Sequence, residues 1–170
     1  MQIFRRQPKA PKPEPHEGHA TSPEELLLDP ETKLYISWYL HQRLAEEVQR
    51  AKRHGRPFSI IVCRPQALPG EETSQAVETA SPHFSRLLRQ GDLVGRLEDG
   101  VIAIGLPETP AAGARVLSQR LRSELSLRSA FVSKQIWQVG WASCPEDGET
   151  PEALLQSAAA ATSERYRAAA

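Results

Sequence analysis

Residues 93–106 have the sequence LVGRLEDGVIAIGL, in which two apolar runs flank an acidic residue and a glycine. Residues 93–97 and 101–106 each have the length and the composition of a strand. Asp99 and Gly100 favour a tight two-residue turn, because both central positions of such a turn need a positive φ. The stretch therefore predicts a β-hairpin in the middle of the chain.

The periodicity of the apolar residues predicts the elements on either side of this hairpin. Spacings near the helical period indicate helices over about 32–54, around Pro82, over 114–125 and over 151–166. Apolar runs at 58–63 and 136–143 indicate two further strands. The order of core elements is then β, α, β, β, α, β, the split βαβ arrangement. We expect an α+β, ferredoxin-like fold with an antiparallel central sheet, helices packed around it, and right-handed crossovers placing helices on one face.

Composition and charge exclude several classes of protein. The chain has 170 residues, 21 of them basic and 21 acidic, so no net charge draws it to nucleic acid or to an anionic membrane. No window approaches the roughly 20 apolar residues that a spanning helix needs. Cys63 and Cys144 lack the close spacing of a metal or redox pair. We expect a cytoplasmic protein with no nucleic-acid partner, no membrane insertion, no metal and no cofactor.

The N-terminal 24 residues differ from the rest of the chain. They are rich in charge and contain five prolines, four of them close together at Pro8, Pro11, Pro13 and Pro15. Few of them could be buried in a core, so the composition predicts a disordered tail over 1–24 and one folded domain over 25–170. The sequence does not indicate what this tail contacts.

From Asp29 to about Tyr166 the chain resembles the GGDEF family of diguanylate cyclase domains. Residues 29–34 resemble its opening D-x-L-T-G-L segment, with Glu31 and Lys33 in place of leucine and glycine. Residues 88–96 are similar to its L-R-x-x-D-x-x-x-R lead into a signature hairpin, and residues 139–155 to its I-G-x-A strand and D-G-x-T-x-x-x-L-L helix start. The resemblance implies the nucleotide-cyclase-like form of the predicted fold and a place in bacterial signal transduction through cyclic di-GMP.

The resemblance also implies a catalytic apparatus, and its residues are altered in this sequence. Active members condense two GTP molecules with a divalent metal held by carboxylates. The family's G-G-D/E-E-F signature falls on Glu98, Asp99, Gly100, Val101 and Ile102, so its metal ligand is a glycine and its catalytic glutamate a valine. A second metal-binding aspartate falls near Arg64, where a cation opposes Mg²⁺. We therefore expect no catalytic residues and a degenerate, inactive homologue, a pseudoenzyme.

One ligand site of the family is retained in the sequence. Family members often hold cyclic di-GMP with an R-x-x-D motif before the hairpin and an arginine from the next helix. Arg89, Asp92 and Arg120 match these positions. Guanidinium groups suit phosphate and guanine edges, and a carboxylate accepts from guanine N–H donors. The alternative is that the three are ordinary surface charges and that Asp92 caps a turn.

Three functions are compatible with the sequence. The first is an inactive regulatory module that works by protein contact, as a homodimer or docked on a partner protein. The second is a cyclic di-GMP receptor acting through Arg89, Asp92 and Arg120, and the third is an active nucleotide cyclase. Trp38 lies off the apolar stripe of the first helix and is a candidate contact residue. Trp137 and Trp141 have equal parity on a predicted central strand, which favours packing.

Overall fold

The computed structural model describes residues 25–66, 73–132 and 136–167. The predicted tail over 1–24 and the loop around Pro69 lie outside the described residues, so the domain boundary stays a prediction. Within these residues the four α-helices are α1 (Ser37–His54), α2 (Thr73–Leu87), α3 (Ala111–Val132) and α4 (Pro151–Arg167), and the four strands are β1 (Phe58–Gln66), β2 (Leu93–Arg96), β3 (Ile102–Pro107) and β4 (Ile136–Cys144).

The strands form one antiparallel sheet in the order β2-β3-β1-β4. The central strand β1 pairs with β3 from Phe58↔Pro107 to Cys63↔Ile102, and with β4 from Phe58↔Cys144 to Gln66↔Ile136. This confirms the predicted α+β fold and its split βαβ topology. The predicted central position of the last strand is wrong, because in this sheet β4 pairs with β1 alone.

Two apolar cores lie on opposite faces of the sheet. Alternate residues of β1 point to opposite faces, so Ile61 and Cys63 pack under α2 and α3, while Phe58, Ile60 and Val62 pack under α1 and α4. The expectation that helices cover one face is correct for the crossover helices α2 and α3. The expectation that helices pack around the sheet is confirmed as well, since α1 and α4 bury the other face.

The first helix ends as predicted and begins later than predicted. At its C-terminus Gly55 has φ 61° and donates its N–H to the Ala51 carbonyl, a glycine cap. The helix starts at Ser37 rather than near residue 32, because residues 29–34 form a compact loop. The Asp29 carboxylate accepts from the N–H groups of Glu31 and Thr32, at 3.2 and 2.9 Å, and Lys33 has φ 59°. Side-chain hydrogen bonds of this kind compete with helix.

The second helix continues through Pro82, where the sequence predicts a break or a restart. Pro82 and Glu78, the residue four positions earlier, are both exposed. Pro82 and Glu78 therefore lie on the exposed side of α2, where a proline costs less than it would on the buried side. The buried side of this helix, with Ala76, Val77 and Phe84, is unaffected.

Candidate functional site

The hairpin between β2 and β3 has the predicted tight turn. Asp99 has φ 56° and ψ 26°, Gly100 has φ 70°, and the Val101 N–H donates to the Glu98 carbonyl at 3.2 Å. Two successive positive φ values are the type I′ pattern. Gly100 is buried, and a Cβ there would lie 3.3 Å from Thr73. The turn therefore requires glycine at this position for both conformation and space.

A pocket of about 450 Å³ lies beside this turn, between the end of β1 and helices α1 and α4. Its charged lining consists of Arg64 from β1 and of Glu98 and Asp99 from the turn. Val101 also lines it but is only 9% exposed, because its side chain belongs to the core under α1 and α4. Ile102, the last residue of the predicted signature, is fully buried on the opposite face.

The side chains at this pocket do not fit a divalent metal. Mg²⁺ requires several hard oxygen ligands arranged octahedrally. Across the described residues, no three His, Cys, Asp or Glu side chains come together closely enough to hold a metal ion. Glu98 and Asp99 supply two carboxylates, but the cation Arg64 shares their pocket and the next turn position is Gly100.

A second pocket, of about 420 Å³, lies between the start of β2 and helix α3. Arg89, Asp92 and Arg120 all line it. The chain thus brings together three residues that are up to 31 positions apart in the numbering of the sequence. The apolar part of the wall comes from five side chains, those of Leu87, Leu106, Ala112, Val116 and Leu117.

The turn before β2 holds the carboxylate of Asp92 in place. The Arg89 N–H donates to Asp92 Oδ2 at 2.8 Å, and the Asp92 N–H donates to the Arg89 carbonyl at 3.0 Å. The alternative role of Asp92, as a cap of this turn, is therefore correct in geometry. This cap uses Oδ2, one of the two carboxylate oxygens of Asp92. Arg89 and Arg120 are exposed, and in the part of the chain that the structure describes neither guanidinium forms an ion pair.

Several pocket residues were not identified from the sequence. His41 lines the first pocket, and Thr109, Gly113 and Val116 line the second. Val116 is 52% exposed, although the apolar stripe of α3 runs through Ala114, Leu121 and Leu125. An apolar residue off the buried stripe is the one signal that could have indicated it.

Other charged and aromatic residues have ordinary structural environments or lie on the surface. At the basic end of α1, Lys52 pairs with Glu149 at 2.7 Å, which raises the pKa of Lys52, and Arg56 pairs with Glu108. Trp137 is 4% exposed and packs under α3, as its parity predicted. Trp38 is 60% exposed. No helix among the described residues is long and apolar enough to cross a membrane.

Comparison with known proteins gives one family and one fold. The family model described as "Diguanylate cyclase, GGDEF domain" matches residues 70–169. No curated protein sequence matches the chain.

Similar solved structures share this fold at low identity. They include the Pseudomonas aeruginosa diguanylate cyclase SiaD in complex with its activator SiaC, with a TM-score of 0.72 and 22% identity over 85% of this chain and 60% of that chain. The FimX GGDEF domain of the same organism has a TM-score of 0.71 and 14% identity over 83% and 94%. A microbial GGDEF domain studied with cyclic di-GMP has a TM-score of 0.68 and 20% identity over 85% and 93%.

Proposed function

Because the chain belongs to the GGDEF family of diguanylate cyclase domains, we propose that it is a regulatory cyclic di-GMP receptor without cyclase activity. The observation that carries this proposal is the convergence of Arg89, Asp92 and Arg120 on one pocket. From the sequence alone, a module acting by protein contact is the leading interpretation. The arrangement of these three residues around one pocket favours the receptor instead. A regulatory role in bacterial signalling follows from the ligand.

The chemistry of the pocket suits a guanine nucleotide with a phosphodiester. Two exposed guanidinium groups can each make paired hydrogen bonds with a phosphate or with the O6 and N7 edge of guanine. The oxygen of Asp92 that the turn does not use can accept from guanine N1 and N2. The apolar wall, with Val116 half exposed, offers a surface for the face of a base.

Calorimetric titration with cyclic di-GMP tests the receptor. We expect binding, and we expect Arg89→Ala and Arg120→Ala each to weaken it by about 1.5–3 kcal/mol, the value of a hydrogen bond to a charged group. Arg86→Ala and Arg115→Ala are matched controls, since both arginines are exposed on α2 and α3, change the net charge equally and do not line the pocket. Absence of binding heat in a folded sample would refute the receptor hypothesis. Equal losses of binding free energy in the control variants would show that Arg89 and Arg120 act only through long-range charge.

The lack of cyclase activity is supported by the first pocket. Gly100 and Val101 occupy the positions of a metal ligand and a catalytic glutamate, and Arg64 faces the same space. Incubation with GTP and Mg²⁺ or Mn²⁺, followed by chromatography, should yield no cyclic di-GMP. Detection of product that scales with protein concentration would overturn this part of the proposal.

A module that acts by contact alone is the second candidate. Val116 and Leu127 are 52% and 62% exposed on α3 and lie 11 residues apart, which places them on one helix face. Exposed apolar residues aligned in this way favour a protein contact. Light scattering of the protein and of a Val116→Asp, Leu127→Asp variant, without nucleotide, distinguishes the candidates: a ligand-independent dimer that the variant abolishes supports contact alone.

A further inference from the structure

Three aromatic side chains form a continuous surface at the start of α1. The rings of Tyr35 and Tyr39 meet edge to face with centroids 4.9 Å apart, and Trp38 meets Tyr39 in the same manner at 5.7 Å. Both tyrosines are half-buried, and Trp38 is the most exposed aromatic residue of this group. We refer to Tyr35, Trp38 and Tyr39 as the aromatic surface.

The fold itself does not require Trp38. The buried stripe of α1 consists of Leu40, Leu44, Val48 and Ala51, and Trp38 lies outside it. A large aromatic ring that is mostly in contact with water, next to two tyrosines held in fixed orientation, is typical of a binding surface. Neither pocket described above includes Trp38.

The chain outside the described residues supplies an occupant of matching chemistry. Residues 8–15 have the sequence PKAPKPEP, with four prolines in eight residues. Proline-rich segments favour the polyproline II conformation, which has no internal hydrogen bonds and loses little entropy on binding. Such segments dock against exposed tryptophan and tyrosine rings.

The start of the described structure lies next to the aromatic surface. The described structure begins at Glu25, in the short turn Glu25–Leu27. The Ile36 N–H donates to the Leu27 carbonyl at 3.0 Å, and Leu28 forms a bridge with Tyr35, so the N-terminal segment enters the domain beside the aromatic surface. The residues between position 15 and Glu25 can span up to about 33 Å at ~3.3 Å per residue, enough to fold back.

We propose that the proline-rich segment 8–15 docks in cis on the aromatic surface formed by Tyr35, Trp38 and Tyr39. The docking is independent of nucleotide binding, because it uses neither pocket. A connection of this length gives an effective concentration on the order of 1 mM between the segment and the aromatic surface. An interaction with a Kd of a few tenths of a millimolar is then mostly formed within one chain. Between separate molecules at low concentration the same interaction is too weak to detect.

Limited trypsinolysis of the full chain tests the proposal. Lys9 is followed by Ala10 and lies inside the segment, so trypsin can cut there when the segment is free. We expect Trp38→Ala to raise the rate of cleavage after Lys9 by about two- to tenfold, the ratio that an effective concentration near 1 mM gives. The matched control is Ile136→Ala, another partly exposed apolar residue, at the start of β4. Equal rates in the wild type and Trp38→Ala would overturn the proposal.

A second measurement leaves the folded domain unchanged. Alanine replacements of Pro8, Pro11, Pro13 and Pro15 should increase acrylamide quenching of tryptophan fluorescence, and the increase should vanish in a Trp38→Phe background. Trp137 is buried and Trp141 half-buried, so Trp38 dominates the quenching. No increase would contradict the docking. Protection that depends on protein concentration would contradict docking in cis and indicate exchange between copies.

Discussion

Replacement of Gly140 by alanine tests how α4 is packed on the sheet. Gly140 lies in β4, which pairs with the central strand β1 through Val62. A Cβ at this position would fall inside the contact distance of the Ala158 carbonyl oxygen, and it would lie 2.8 Å from the Thr162 nitrogen and 3.0 Å from Thr162 Cγ2. Two of these three atoms belong to the backbone of α4, so no side-chain rotation can relieve the clash.

The magnitude follows from what must move. To bring the Cβ to ordinary contact distance, α4 has to shift by about 1 Å, and a gap of that size forfeits a quarter to a half of each affected van der Waals contact. The contacts at risk are those of Leu154 and Ala158, both fully buried against the sheet. We expect a loss of about 3 kcal/mol of unfolding free energy, the upper part of the range for overpacking.

Urea unfolding followed by circular dichroism measures this loss. Gly91→Ala is the matched control, because a Cβ at Gly91 meets nothing within 4 Å and its φ is not in the left-handed region. The control should change stability little or raise it by about 0.4–1 kcal/mol through the unfolded chain. If Gly140→Ala costs less than about 1 kcal/mol, the close approach of α4 to β4 is not the reason for this glycine.

Three further predictions concern other positions. Lys33→Gly should stabilise the protein by up to about 1 kcal/mol in thermal unfolding, because Lys33 has φ 59°, whereas Lys33→Ala, which keeps the Cβ, should give no gain. Burial raises the pKa of the Cys63 thiol from 9.0 to about 12. The contribution of the buried neutral thiol to the free energy of unfolding is therefore complete below about pH 9. As the pH rises toward 12 the unfolded thiol ionises first, so this contribution is lost by up to about 1.4 kcal/mol per pH unit. A Cys63→Ala variant whose free energy of unfolding falls equally steeply would disprove this. Asp147→Ala should cost about 1–2 kcal/mol in urea unfolding, because its carboxylate accepts the Ser143 N–H of the edge strand at 2.8 Å, and an unchanged midpoint would show that solvent satisfies that N–H.

The parts of the fold that could be predicted from the sequence are those encoded locally. The turn at Asp99 and Gly100 and the end of the first helix near residue 54, where Gly55 forms the cap, each depend on a residue that tolerates positive φ, and both lie where the sequence predicts them. The position of β4 at the edge of the sheet depends on which strands pair, and no local pattern in residues 136–144 reports it. Pro82 was misjudged for a related reason, since the cost of a proline depends on whether the freed carbonyl reaches solvent.

The same distinction applies to the candidate site. Arg89 and Asp92 are three residues apart, and the turn between them was recognisable from the sequence. Arg120 was identified through the family resemblance, and nothing near it in the sequence points to the other two residues. His41 and Val116 were missed because pocket walls are assembled from elements that meet only in the folded chain.

The altered signature residues have structural roles in this chain, which bears on how the proposed loss of catalysis arose. Gly100 holds a positive φ next to Thr73, where a carboxylate side chain would be strained and crowded. Val101 contributes to the core under α1 and α4, where an unpaired glutamate would carry the cost of a buried charge. A carboxylate introduced at either position would therefore destabilise the turn that presents it. Gly100 and Val101 thus satisfy the requirements of a type I′ turn and of an apolar core, two structural reasons for these residues that do not depend on catalysis.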